Sequence, residues 1–176
     1  DSRHRIEHIE LIDRADIPRL SQLGIVASLQ PAHAPGAMDF AVFPSMDKVG
    51  RDRWADSFLQ RTLEEAGARI AFASDWPVTD VAVLRNIQAA LTRAPYGDCA
   101  DERLERMAVL QAYTAGGAWA AHREHLTGRL VPGMAADLVL LDGDIMTVPA
   151  AGIGALGAAL TLAGGRITHE NGAAGL

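Results

Sequence analysis

The chain has 176 residues, 16 Lys+Arg against 22 Asp+Glu, and a formal net charge of −6. That length fits one domain, or one domain with part of another. A composition of 49% hydrophobic and 22% charged residues excludes intrinsic disorder, and the acidic balance offers no clustered positive face for nucleic acid or an anionic membrane.

Cys99 is the only cysteine, which excludes an intrachain disulfide and a cysteine-based zinc set. No charged segment followed by an apolar core opens the sequence, so no signal peptide is expected. Together these features lead to an expected cytoplasmic location. The start at Asp1 leads to the further expectation that the chain belongs to something longer.

Residues 5–9 read as a short strand. Asp16 as N-cap, Pro18 in the first turn and Gly24 as stop then frame a helix. Residues 25–29 (Ile-Val-Ala-Ser-Leu) form the second predicted strand, ending at Gln30-Pro31. A loop rich in Pro, Gly and Ala follows, to about Gly50. Trp54, Phe58, Leu59, Leu63 and Ala66 recur at helical spacing before Gly67, which predicts one continuous helix. Residues 69–74 are the third strand, ending at Asp75-Trp76-Pro77. Two helices follow, capped by Asp80 and Asp101. This βα alternation predicts parallel strands with helical crossovers.

The texture changes near Gly128. Residues 130–133, 136–142, 158–163 and 166–169 read as short strands, with Gly164-Gly165 as a tight hairpin turn. Residues 145–165 carry no charge and have about the length of a membrane span. Pro149, five Gly and six Ala leave little large apolar surface there, so a loop and a strand are expected instead. The tail beyond Glu170 is expected to fray.

Two patterns could carry chemistry. His4-Arg5-Ile6-Glu7-His8 matches the H-x-x-E-H motif of inverted zinc proteases, which needs a helix to bring both imidazoles onto one face. The other pattern is positional. In parallel βα folds reactive groups gather at the carboxyl ends of strands, and His8, Gln30 and Asp75 end the three predicted strands. A neutral imidazole and a carboxylate suit zinc or a related divalent ion. His122, His125 and His169 read as solvated surface residues.

Four blocks in order resemble one family: Arg5-Ile6-Glu7-His8; Val26-Ala27-Ser28-Leu29-Gln30-Pro31-Ala32-His33; Ala73-Ser74-Asp75-Trp76-Pro77-Val78; and Gly128-Arg129-Leu130-Val131-Pro132-Gly133 running on to Asp142. Tyr113-Thr114-Ala115-Gly116-Gly117 and the hairpin around Gly164-Gly165 fit as well. The chain resembles the metal-dependent amidohydrolases of family 3, the group containing N-substituted formamide deformylase.

The resemblance implies an α/β fold: residues 1–127 as the C-terminal part (about strands six to eight) of a (β/α)8 TIM-type barrel, and residues 128–176 as C-terminal strands of a small composite β-sandwich. It implies His8 and Asp75 as metal ligands, Asp75 also as catalytic proton shuttle, and Gln30 and His33 as substrate-binding. It implies one or two divalent ions, zinc foremost, and hydrolysis of a C–N amide-type bond in a small molecule through a metal-activated water.

The family's H-x-H pair and the ligands of its strands four and five have no counterpart here, so the chain alone is expected to be incomplete and inactive. Its expected partner is the missing N-terminal half of the barrel, in the same or a separate chain, with homo-oligomers as a further expectation. No nucleic acid and no membrane partner is expected. Deamination or cyclic-amide opening by the same apparatus, and a non-catalytic half-barrel that serves as an interaction module, stand as alternatives.

Overall fold

The computed structural model describes residues 2–38, 48–95 and 97–172. Three parallel strands, β1 (Arg5–Glu7), β2 (Val26–Leu29) and β3 (Arg69–Phe72), form one sheet in the order β1-β2-β3. Glu7 pairs with Ser28 and Ser28 with Ala71, so the three carboxyl ends lie level. β2 is buried along its whole length, as expected of a Val/Leu-rich strand flanked on both sides. All three residues of β1 are exposed.

The crossovers are α1 (Ile17–Gln22) between β1 and β2, and α2 (Gln60–Glu65) before β3. The continuous helix expected over residues 54–66 is broken. A 3-10 segment, Arg51–Asp56, ends at Ser57, and Phe58 takes a φ of 54°. The competing interaction is tertiary: Ile12 N–H donates to Asp56 O at 3.2 Å, Phe58 N–H donates to Glu10 O at 3.0 Å, and Leu11 bridges to Ser57. Helical spacing in the sequence is outweighed by pairing with the segment that follows β1.

After β3 come α3 (Val83–Thr92) and α4 (Arg106–Gln111), a π-helical segment (Ala112–Gly116) and α5 (Gly117–Ala120). Asp80 and Asp101 lie ahead of α3 and α4 but outside their N-cap positions. Their carboxylates accept from Ala82 N–H and Arg103 N–H, both two residues on. The π segment lies on β3, where a Cβ at Gly116 would stand 2.3 Å from Ile70 O. Only glycine permits that approach.

The second sheet is antiparallel: β4 (Leu138–Leu141), β5 (Ala158–Ala163) and β6 (Arg166–Glu170). Gly164 and Gly165 turn the β5–β6 hairpin with φ of 56° and 77°, the paired positive values of a tight two-residue turn. Residues 130–133 are not a strand. Leu130 is exposed, and Met134 N–H folds back to Val131 O.

The charge-free stretch is a 3-10 turn, Ala150–Ala155, followed by β5. Among the described residues no helix is long and apolar enough to cross a membrane. Ile153, fully buried, joins Leu29, Leu63, Phe72, Ile87 and Val109 in the main core. Arg106 Nη1 clamps this turn by donating to Ile145 O and Val148 O. Residues 39–47, within the expected loop, and 173–176, within the tail expected to fray, lie outside the described residues.

Candidate metal centre

Each sequence-predicted site residue stands at or just past the carboxyl end of a parallel strand. His8 follows β1 directly, and its N–H donates to Ser28 O at 2.8 Å, extending the ladder by one residue. There the chain bends sharply. His8 and Ile9 take φ of 72° and 46°, a left-handed region costly for a residue with Cβ and most of all for a β-branched one. Glu10 comes next, held by the hydrogen bond from Phe58 N–H to its carbonyl.

Gln30 follows β2 and opens the 3-10 turn Pro31–His33, in which His33 N–H donates to Gln30 O at 3.0 Å. Asp75 lies three residues past β3 with φ of 55°, and its carbonyl accepts from Val78 N–H at 2.7 Å. Backbone strain of this kind concentrates where a side chain must be aimed.

The three turns converge. His33 Nε2 lies 3.8 Å and His8 Nδ1 lies 4.0 Å from the same oxygen, Oδ2 of Asp75. The two imidazoles stack with centroids 5.7 Å apart and planes inclined by 16°. Donor atoms of His8, His33 and Asp75 all lie within 4.8 Å of one another. His33 is buried, whereas the His8 and Asp75 side chains are 47% and 37% exposed, so the cluster opens on one side.

These distances test whether a metal fits. At 3.8 and 4.0 Å the pairs are too far apart to hydrogen-bond. Two ligands each about 2.0–2.1 Å from zinc stand about 3.3 Å apart at the tetrahedral angle and about 4 Å apart when opposed. The two gaps to Asp75 Oδ2 lie at the wide end of that range, and the donors are imidazole nitrogen and carboxylate oxygen. The donor chemistry suits a divalent ion.

Gln30 is buried but makes no hydrogen bond to the cluster. Its Nε2 donates weakly to Ser28 O at 3.5 Å, and its Oε1 has no hydrogen-bond partner among the described residues. His33, expected to face substrate, stands within the donor cluster itself. Glu10 was not singled out by the sequence, yet its Oε1 is 2.8 Å from His33 Nδ1. The available signal was its position two residues after His8. The H-x-x-E-H reading does not survive, because residues 5–7 are extended and Glu7 pairs with Arg5 at 2.7 Å. His122, His125 and His169 are exposed, as expected.

The family model for the amidohydrolase family matches residues 1–169. The chain belongs to this family. Among curated proteins this amidohydrolase chain is similar to Protein LONG AFTER FAR-RED 3 of Arabidopsis thaliana. The two are 36% identical over 146 residues, covering 80% of the chain and 24% of that protein. It is also similar to the putative amidohydrolase YtcJ of Bacillus subtilis (strain 168), with 28% identity over 179 residues, 97% of the chain and 33% of that protein. The amidohydrolase chain therefore spans about a quarter to a third of the length of these relatives.

An uncharacterized metal-dependent hydrolase from Pyrococcus horikoshii OT3 superposes with TM-score 0.70 and 25% identity, over 83% of the chain and 30% of that structure. A variant of the atrazine chlorohydrolase TrzN from Arthrobacter aurescens TC1, complexed with zinc and atraton, shares the fold. Its TM-score is 0.68 at 22% identity, over 95% of the chain and 36% of that structure. These neighbours are barrel proteins, and the amidohydrolase chain covers part of each.

Proposed function

We propose that the chain supplies the C-terminal part of a metal-dependent hydrolase that cleaves a carbon–nitrogen amide-type bond in a small molecule. The observation that carries this reading is the convergence of His8, His33 and Asp75 at the level carboxyl ends of three adjacent parallel strands. In this reading β1, β2 and β3 are strands six to eight of the barrel within residues 1–127. Residues 128–176 belong to the composite sandwich, and the barrel's remaining strands and ligands lie outside residues 1–176. The motif order around His8, Gln30 and Asp75 supports the formamide deformylase-like branch.

His8 and Asp75 hold the ion. Zinc is the ion named with the atrazine chlorohydrolase neighbour, but that likeness is one of fold, so zinc here rests on the donor chemistry. A divalent ion at this position supplies Lewis acidity and makes water nucleophilic near neutral pH. Asp75, partly open to solvent, accepts the attacking water's proton and returns it to the departing nitrogen, which is far more basic once the amide carbon is tetrahedral. One carboxylate thus serves as base and then as acid. Gln30 Oε1 offers an acceptor for a substrate N–H.

The test uses the whole protein that contains this chain. Asp75→Asn keeps an oxygen facing the ion but cannot accept the proton, so kcat should fall by about 10²–10⁴ with metal content largely retained. His8→Ala removes a ligand and should lower metal content and rate together. Near-normal turnover in Asp75→Asn would remove the proton-shuttle role.

A further inference from the structure

Glu10 has no part in the mechanism above, yet its placement is costly. The left-handed pair His8–Ile9 turns the chain immediately after β1, and Phe58 N–H fixes the Glu10 backbone at 3.0 Å. As a result one three-residue stretch meets His33 twice: the His8 ring stacks on it at 5.7 Å, and the Glu10 carboxylate reaches Nδ1 at 2.8 Å. His33 is 4% exposed, so its ring is held where it lies.

An ionised carboxylate only accepts hydrogen bonds. A Glu10 carboxylate at Nδ1 therefore places the proton of a neutral ring on Nδ1 and the lone pair on Nε2. That is the nitrogen 3.8 Å from Asp75 Oδ2. Histidines that bind metals regularly show this arrangement, with the far ring nitrogen donating to a carboxylate that sets tautomer and orientation.

We propose that Glu10 is a positioning residue that holds His33 in the Nδ1–H tautomer, which makes His33 Nε2 a third ligand to the ion shared by His8 and Asp75 rather than a substrate contact. The inference rests on the metal-site reading above and deepens it. It also accounts for the burial of His33. A substrate-contacting imidazole gains from exposure, whereas a ligand gains from a fixed ring.

Two measurements on the whole protein that contains this chain test it, neither of which needs turnover. Long-range ¹H–¹⁵N correlation spectra of the metal-free protein report which nitrogen of His33 carries the proton, and calorimetric titration with zinc reports affinity. The expected result is the Nδ1–H tautomer in the wild type, lost in Glu10→Ala and retained in Glu10→Gln, whose amide oxygen still accepts. Zinc affinity should fall about 10–100-fold in Glu10→Ala and recover in large part in Glu10→Gln.

An Nε2–H tautomer in the wild type, or unchanged zinc affinity in Glu10→Ala, overturns the proposal. A wild type with the Nδ1–H tautomer but no zinc uptake overturns the metal reading, and His33 as ligand with it. Equal losses in the Ala and Gln variants with an unchanged tautomer reduce Glu10 to a packing residue and also overturn the proposal.

Discussion

Asp75 combines a strained backbone with a side chain aimed at two imidazoles, and the strain decides how it should be probed. At φ of 55° an Asp or Asn is tolerated far better than other residues with Cβ, because a short polar side chain bonds locally. Asp75→Asn therefore changes the proton chemistry without adding backbone cost, while Asp75→Ala changes both. Urea denaturation should find Asp75→Ala less stable than Asp75→Asn by about 1 kcal/mol. Equal stabilities would show that the turn carries no conformational penalty. At this scale the strand-end positions of His8, Gln30 and Asp75 were legible, because a strand end can be read from a run of apolar residues and its stop. His33 and Glu10 were less so. Their meeting depends on a 3-10 turn after β2 and a left-handed bend after β1, and neither has a glycine to announce it.

Among the elements, the three parallel strands and the Gly164-Gly165 hairpin were read from the sequence because each rests on local pattern. The break at Phe58 was not, since it is imposed by the segment at residues 10–12 lying far away in sequence. The same limit hid the clasp that joins the chain ahead of β1 to the end of α5. Arg3 lies over the Trp119 ring at 3.5 Å, donates to Trp119 O and to both Glu124 oxygens, and is faced by Arg69 at 3.8 Å across the same ring. The Arg3 hydrogen bonds hold the Glu124 carboxyl at about 2, below its ordinary 4.5. A carboxylate whose pKa is lowered by folding stabilises the fold fully above its unfolded value and loses that contribution as pH falls through the folded value. The clasp should therefore act fully above pH 4.5 and fade toward pH 2. Thermal midpoints across that window should show the wild type above Glu124→Gln at pH 6, with the gap closing as pH approaches 2. A gap that stays constant with pH would mean that the clasp works by packing on Trp119 rather than by charge.

At the scale of the whole molecule, the sheet is well covered in the middle and open at its start. β2 pairs on both sides, but β1 pairs only with β2 among the described residues, and its Ile6 side chain is 46% exposed. Beside it an open cleft of about 480 Å³ is lined by apolar side chains such as Ile6, Ile12, Leu23 and Ile25 and by the charged Glu7, Glu10, Asp16 and Arg19. An unpaired parallel strand next to a partly apolar cleft is a surface on which a further strand and helix of a barrel would pack, and the chain covers only about a third of each of these neighbours. With nothing in that place among the described residues, exposed edges and apolar surface recruit other chains. The 176-residue chain by itself should therefore self-associate. Sedimentation velocity over a concentration series should show mass increasing with concentration. Leu23→Lys, which puts charge at the rim of the cleft on a residue already 63% exposed, should shift the distribution toward monomer at little cost to folding. A wild-type chain that sediments as a compact monomer at tens of micromolar, on the order where exposed edges normally associate, would show that the β1 edge is closed in solution by another part of the same chain.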